Sequence, residues 1–575
     1  MTSPAAATAE GPSSAPSATV VAESHPAIRA VASALLLSVA FPPVGWSWLA
    51  WVALVPLFLL VESRRSRAAI YFGSWLGGYV FWLIAIRWIA KSDPGAWVAW
   101  LVMALALSAF WPAFVLLARL GVRRLGLPLM LVAPVAWLAL EYVRAYLVTG
   151  FPWYYLAHTQ YRVLPIIQIA DFAGAWGPSL LLAIANAAVV GLLNRPLLRA
   201  GRLARGQVAR LATIGLLVFA TVGYGSYRLN SAAFREGPRV ALIQSDLPQI
   251  FNQPRDPNKL RDHYIGLIDR AVARPGRLDL IVWPETAYPF VYPIQDPKLG
   301  DADFLELIHR TINPKHSLAF WKGLARDVPQ DLHLMADRVA TPMLVGLTEY
   351  HFTTEGLKKY NAAALFEPGK TTRAVYHKIH LVPFGEYVPL VDTFSAVLWL
   401  TPFDRDHAPD LTPGTSAGWI ERGPWRLATA ICFEDTVPQV VRGAFSAPPE
   451  GRQPDLLVNL SNDGWFRGTP EHRVHLATSV FRAVENRVPL VRAVNTGISA
   501  MVDGNGLIRA ALPAMVEDVL IVDCPLDDRA SFYSRAGDWL ALSCLALTIG
   551  LTILAIVRPR RVRDEVLFAS LPKAP

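Results

Sequence analysis

Leu427-Ala-Thr-Ala-Ile-Cys-Phe-Glu-Asp435 is a short apolar run that ends in a cysteine and two carboxylates, with Pro438 three residues beyond. An apolar run of this length, closed by turn and breaker residues, reads as a buried strand that hands its last residues to a sharp turn. A turn of that kind presents a nucleophile. A thiol at Cys432 can attack a carbonyl while the backbone N–H of Phe433 points at the oxyanion that develops. Taken alone, a strand cysteine is more often a small core hydrophobe, so its neighbours have to decide.

Comparable runs recur on both sides, at 239–244, 278–283, 342–348, 362–366, 372–377, 455–460, 490–494, 498–502 and 519–522. Two of them, Asp279-Leu-Ile-Val282 and Asp455-Leu-Leu-Val458, are apolar without alternation, which suits strands covered on both faces. Residues 235–535 are therefore expected to form an α/β domain with layered sheets. Two further strand ends carry chemistry. One run leads to Trp283-Pro-Glu285, a carboxylate just past a buried strand. Another leads into Tyr376-His-Lys-Ile-His-Leu-Val-Pro-Phe-Gly-Glu-Tyr-Val-Pro389, which holds Lys378 and Glu386. Singly, Glu285 reads equally as a helix cap, Lys378 as a solvated lysine and Glu386 as an arginine's partner. Together with Cys432 and Glu434 they are the acid/base, cation and thiol that acyl transfer requires.

Composition sets the surroundings. The 575-residue chain is 53% hydrophobic with 19 Trp and a mean hydropathy of +0.32, values of a membrane protein with a soluble part. Apolar runs long enough to span a bilayer are read near 27–42, 47–62, 68–90, 96–119, 127–148, 165–193 and 208–229, seven in all, with an eighth at 539–557. Alternate connections are Arg-rich: Arg64, Arg65 and Arg67; Arg119, Arg123 and Arg124; Arg195, Arg199, Arg202, Arg205 and Arg210; and the end after Arg558. By the positive-inside rule these are cytoplasmic, which leaves 235–535 outside the cytoplasm. Residues 1–26, poor in large apolar side chains, are expected to be a disordered cytoplasmic tail, 27–229 a seven-helix membrane domain, 537–558 the eighth helix and 559–575 a basic cytoplasmic tail. The formal charge of +9 follows from these loops, and no nucleic-acid motif is present. Three scattered cysteines exclude a disulfide framework. A metal site built from His377, His380 and Cys432 is disfavoured, because the histidines stand at i and i+3 in a segment broken by Pro383 and no second thiol is near.

Trp-Pro-Glu285, the Lys378 segment and Cys432-Phe-Glu434 resemble the three signature regions of the nitrilase, or carbon–nitrogen hydrolase, superfamily. With the eight spans, the chain resembles the apolipoprotein N-acyltransferase family. Ser461-Asn-Asp-Gly-Trp-Phe466, Arg492-Ala-Val-Asn-Thr-Gly-Ile-Ser-Ala500, Phe41-Pro-Pro-Val-Gly45 and Gly150-Phe-Pro-Trp153 are further matches. The resemblance implies an αββα sandwich outside the cytoplasm of a bacterial inner membrane. It also implies a Glu285, Lys378, Cys432 triad assisted by Glu386, Glu434 and Phe433, and no cofactor or metal. The reaction it implies takes an acyl chain from a phospholipid, holds it on the cysteine as a thioester and passes it to the amine of a diacylglyceryl-modified apolipoprotein. Two aromatic stretches, 288–294 and 394–400, read as segments that dip into the outer leaflet, with Trp283, Phe290, Trp399 and Trp465 along the lipid route. The sequence departs from the family pattern at Phe433, commonly Tyr, at Phe251, Asn252 and Gln253, where a Trp is common, at Gly464 and Arg467 beside Trp465, and in a long 296–338 stretch. Two other functions fit parts of the pattern: a membrane-tethered amidase that lets water attack the same thioester, and a non-catalytic receptor with an outer binding domain.

The arginine pattern makes the topology testable. Protease protection in spheroplasts is expected to shield tags at Arg202 and at the C-terminus and to expose one near Asp296. A shielded tag at Asp296 contradicts the orientation.

Overall fold

The computed structural model describes residues 24–558, apart from 94, 195–197, 200–201, 249–255, 313–314, 392, 395–397, 399–408, 417 and 447–450. Both expected tails (apart from residues 24–26), Trp399, Phe251, Asn252, Gln253 and most of the 394–400 stretch thus lie outside the described residues.

Six helices among the described residues are long and apolar enough to cross a membrane: Arg67–Ala85, Ala96–Arg124, Leu129–Tyr146, Trp176–Leu193, Arg205–Asn230 and Trp539–Val557. The runs at 27–42 and 47–62 form shorter apolar helices, Pro26–Ala40 and Ser47–Glu62. Small residues set the close approach of the first of these to Arg67–Ala85, since a Cβ on Gly77 would come within 2.6 Å of the Ala30 Cβ.

The run expected as one span over 165–193 is broken. Short helices within Leu164–Ala173 end at Gly174, whose φ of 64° turns the chain before Trp176–Leu193. The break has a cause in packing: a Cβ on Gly174 would sit 2.5 Å from the Tyr533 ring. It also frees Asp171 to accept hydrogen bonds from Tyr224 at 2.7 Å and pair with Arg228 at 2.7 Å, both on helix Arg205–Asn230, and to accept from the buried Arg487 guanidinium of the other half of the molecule at 2.6 Å.

The second half is a sandwich of two sheets. The strands of one follow the order Asp518–Asp523, Arg239–Gln244, Leu280–Val282, Met343–Thr353, Gly356–Phe366, Ala374–His377, with Tyr292–Gln295 also paired to Met343–Thr353. The other runs Ile508–Ala511, Ala500–Val502, Leu490–Asn495, Leu456–Asn462, Trp425–Ile431, Trp419–Arg422. The central strands of each sheet are parallel, which explains their unalternating apolar sequences: both faces are covered. Val240, Leu242, Val282 and Leu344 from one sheet meet Leu427, Ile431, Val458 and Val491 from the other in a shared core. The opposite face of the first sheet is covered by helices Pro257–Val272 and Leu318–Val339. That of the second is covered by Pro438–Ser446 and Glu471–Asn486, and there the core continues into Leu138, Tyr155 and Trp176 of the helical half. One outer layer of the sandwich is therefore also the seam with the apolar helices.

A further expectation changes. The 288–294 stretch is no free loop. Tyr288 is buried and donates to Asp331 at 2.9 Å, Phe290 packs on the same core, and Tyr292–Gln295 is a parallel strand against residues 349–352. Pro293 lacks a ladder donor, which confines this strand to an edge position. The long 296–338 stretch folds as Asp301–Thr311 and the covering helix Leu318–Val339, with Trp321 buried against Phe304 and Phe352.

Candidate active site

Strand Trp425–Ile431 ends at Cys432, whose φ of 53° is left-handed, and the chain continues as a single 3-10 turn, Cys432–Thr436. A non-glycine residue held there costs about 1–3 kcal/mol and persists only where the surroundings impose it. Glu434 imposes it. Its buried carboxylate accepts from the backbone N–H groups of Ile431 at 2.7 Å, Ile379 at 2.7 Å and His380 at 2.9 Å, and from the Tyr376 hydroxyl at 2.9 Å. One side chain thus staples the cysteine turn to the segment that carries Lys378. Burial pushes the Glu434 carboxyl up to about 7, while the three N–H groups favour its charged form.

Glu285 follows Leu280–Val282 and precedes Thr286, another left-handed residue at φ 46°. The bend lies directly on Gly346: a Cβ there would be 2.1 Å from the Pro284 carbonyl oxygen and 2.8 Å from the Glu285 Cα. Lys378 sits just past Ala374–His377, its N–H bonded to the Asn361 carbonyl at 2.9 Å. These three strand ends bring the groups together. The fully buried Lys378 Nζ lies 3.2 Å from Glu285 Oε1 and 2.8 Å from Glu386 Oε1. Asn361 Nδ2 donates to Glu285 at 2.7 Å and to Glu386 at 3.1 Å, and the Val382 N–H donates to the other Glu386 oxygen at 2.7 Å.

The electrostatics divide the roles. Burial pushes the Cys432 thiol well up, and Glu285 adds to this against the opposing pull of Lys378, so the resting sulfur is a thiol. Burial also raises Glu285, with Lys378 opposing. Burial alone would lower Lys378, but Glu285 and Glu386 outweigh it and hold the ammonium charged. A protonated nucleophile, a carboxylate of raised basicity and a fixed cation within one pocket can attack a carbonyl and stabilise the oxyanion with no external group.

The structure thus gathers Glu285, Lys378, Cys432, Glu386 and Glu434. Phe433 is stacked between His380, 5.7 Å away, and Trp153 of the helical half, 6.4 Å away. Trp465 is 41% exposed on the turn Asp463–Phe466, whose Phe466 packs on Trp88 at 4.8 Å. Trp283 stands apart. It is fully buried and stacked on Tyr264 at 4.6 Å, a core residue without a surface that lipid could reach. His377 turns away from the cysteine to Glu349, 2.9 Å off, while His380 stays beside Phe433. Among the described residues two clusters bring His and carboxylate ligand atoms within 4.8 Å, Glu349 with His351 and His377, and Asp463 with Glu471 and His475. In the first, Arg373 already lies 2.8 Å from Glu349 and supplies the positive charge.

Asn361 and Gly346 were not singled out from sequence. The one available signal is a polar amide at the head of the apolar run 362–366.

A cysteine on a strained turn between two stacked sheets, flanked by a carboxylate and an ammonium, defines a class of thiol enzymes, and the carbon–nitrogen hydrolase family model matches residues 239–533. Residues 33–188 match the apolipoprotein N-acyltransferase N-terminal domain. The chain belongs to the apolipoprotein N-acyltransferase family, and it is an acyltransferase. The apolipoprotein N-acyltransferase of Geobacter metallireducens is 35% identical over 93% of this chain and 95% of its own length, and that of Chlorobaculum tepidum 28% identical over 93% and 98%. A solved CN-hydrolase superfamily protein from Xanthomonas campestris aligns with a TM-score of 0.34 at 17% identity, covering 56% of this chain and 98% of its own.

Glu285→Gln and Lys378→Ala are each expected to lower acyl transfer on the order of a hundredfold, measured at equal amounts of folded protein. Alkylation of Cys432 by iodoacetamide is expected to slow as pH falls through the raised Glu285 value, because the protonated carboxyl cannot take the thiol proton. The limb therefore lies above the ordinary carboxylate value of about 4.3 and is missing in Glu285→Gln. Near-normal turnover in either variant removes that residue from the chemistry.

Proposed function

We propose that this chain transfers a fatty acyl group from a phospholipid to the N-terminal amine of a diacylglyceryl-modified apolipoprotein through a thioester on Cys432. The helical half contributes eight spans and the sandwich lies outside the cytoplasm, at the bacterial inner membrane. Glu285 takes the Cys432 proton as the sulfur attacks the ester carbonyl. The oxyanion faces Lys378 and the Phe433 N–H, one of the first donors of the 3-10 turn and so without a helical partner. Collapse expels the glycerol oxygen, which receives the proton from Glu285 and departs as lysophospholipid. The lipoprotein amine then attacks the thioester, Glu285 accepts its proton, and the sulfur leaves and is reprotonated from Glu285. One carboxylate serves both halves.

One observation carries this reading beyond thiol chemistry in general: the cysteine turn packs directly on the apolar half through Phe433 against Trp153, and the turn Asp463–Phe466 does so through Phe466 against Trp88. A nucleophile at that seam meets acyl chains where water is scarce, which favours an amine over water as the second nucleophile. The names borne by relatives that align over nearly the whole chain support an apolipoprotein as the acceptor.

Purified protein supplied with phospholipid and a diacylglyceryl peptide is expected to yield the N-acylated peptide by mass spectrometry, and Cys432→Ala none. Release of free fatty acid at the same rate with and without peptide contradicts transfer and favours the tethered amidase.

A further inference from the structure

The register that pairs Ile431 with Leu460 sets Ser461, one step on, beside Cys432. Asn459 on the same strand donates to the Cys432 carbonyl at 3.2 Å. Ser461 is fully buried. Its hydroxyl lies within hydrogen-bonding reach of the sulfur and donates to Asp463 Oδ1 at 2.7 Å.

Asp463 does not stand alone. His475 Nδ1 is 3.2 Å from the same oxygen, and its Nε2 is 2.7 Å from Asp435 Oδ1, three residues past the nucleophile. Asp435 Oδ2 accepts from Ser479 at 2.6 Å, and Arg492 lies 3.9 Å from Asp435 and 3.8 Å from Asp463. Glu471 completes the group, 3.3 Å from His475 and 3.3 Å from His472. Burial would lower both imidazoles, but the carboxylates override it, raising His472 to about 9 and His475 well above its ordinary value. Three carboxylates, Asp435, Asp463 and Glu471, then face three cations, Arg492, His472 and His475. The cluster is closed in charge and leaves no deficit for a metal ion. His475 fixes the turn after Cys432 to the turn after Ser461, and so sets the spacing of sulfur and hydroxyl.

We propose that Ser461 is a further catalytic residue, a donor that serves Asp463 while the sulfur is neutral and turns to the Cys432 sulfur whenever it carries negative charge. Asp435, Asp463 and His475 are its positioning residues. The inference rests on Cys432 being the nucleophile. Ser461 keeps its proton throughout, Glu285 remains the base, and no bond is made or broken at the hydroxyl. Asp463 gives up one donor during each swing and retains the hydrogen bond of His475 and the nearby charge of Arg492, so the exchange is cheap. The sulfur gains a charge-assisted hydrogen bond during attack and again as it leaves the thioester.

The test uses the full-length protein in detergent and follows iodoacetamide alkylation of Cys432 against pH, with Cys524 and Cys544 buried. Ser461→Ala is expected to slow alkylation about tenfold or more and to move its alkaline limb to higher pH. Acyl transfer should fall by a similar factor with the KM for phospholipid unchanged, while Ser461→Thr keeps the wild-type profile. A wild-type profile in Ser461→Ala overturns the proposal. So does a Ser461→Thr variant as impaired as Ser461→Ala at an unchanged melting temperature, and so does a stoichiometric divalent ion whose removal by EDTA abolishes alkylation. If wild-type Cys432 fails to take an acyl group from phospholipid, the nucleophile reading falls by itself, and the alkylation profiles still decide whether Ser461 serves the sulfur.

Discussion

The ammonium of Lys378 has no exposed surface, and everything else in the site follows from keeping it charged there. An unpaired buried cation is prohibitively unfavourable. Here two carboxylates flank it, and Asn361 ties the two together. Removing either carboxylate strips the ammonium of one of the two partners that hold it. Burial keeps Glu285 basic enough to take a proton, and the pairing holds it close enough to the cation to share the oxyanion's environment. A site of this kind is rigid because each partner is needed for its neighbour's charge state, which is the condition under which fixed dipoles stabilise a transition state better than water does.

That rigidity is conveyed to the backbone at Cys432 and Thr286, both held in the left-handed region. Neither residue type prefers it. Glu434 holds the first through four donors from two separate segments, and the close contact with Gly346 shapes the second. The sandwich therefore stores strain at the two points where its strands deliver the nucleophile and the base. The seam with the helical half adds a second constraint, since Arg487 is buried on Asp171 and Phe433 is stacked on Trp153. The cysteine turn cannot shift without disturbing the apolar half.

Much of this is legible in the chain itself. Parallel central strands read as plain apolar runs, and the chemistry stands where those runs end, so Glu285, Lys378 and Cys432 could be proposed from spacing before their contacts were seen. The same uniformity hides other features. A strand apolar on both faces does not say which face meets a helix, and so Trp283, beside the base in sequence, lies in the core instead of on a lipid route. Hydropathy is indifferent to a break inside a long apolar run, so the turn at Gly174 and the role of Asp171 were invisible. Tyr292–Gln295 is short and contains a proline, which argues against a strand until its edge position is known. Asn361 acts on Glu285 from 76 residues away, a distance no local pattern spans.

The central claim is that this half-buried thiol becomes an acyl carrier. Mass spectrometry of the Cys432 peptide after incubation with phospholipid and no amine tests it most directly. The account predicts the mass of one added acyl chain, released by neutral hydroxylamine and lost when a diacylglyceryl peptide is added. An unmodified Cys432 in protein that still converts phospholipid and peptide to N-acylated product would contradict it.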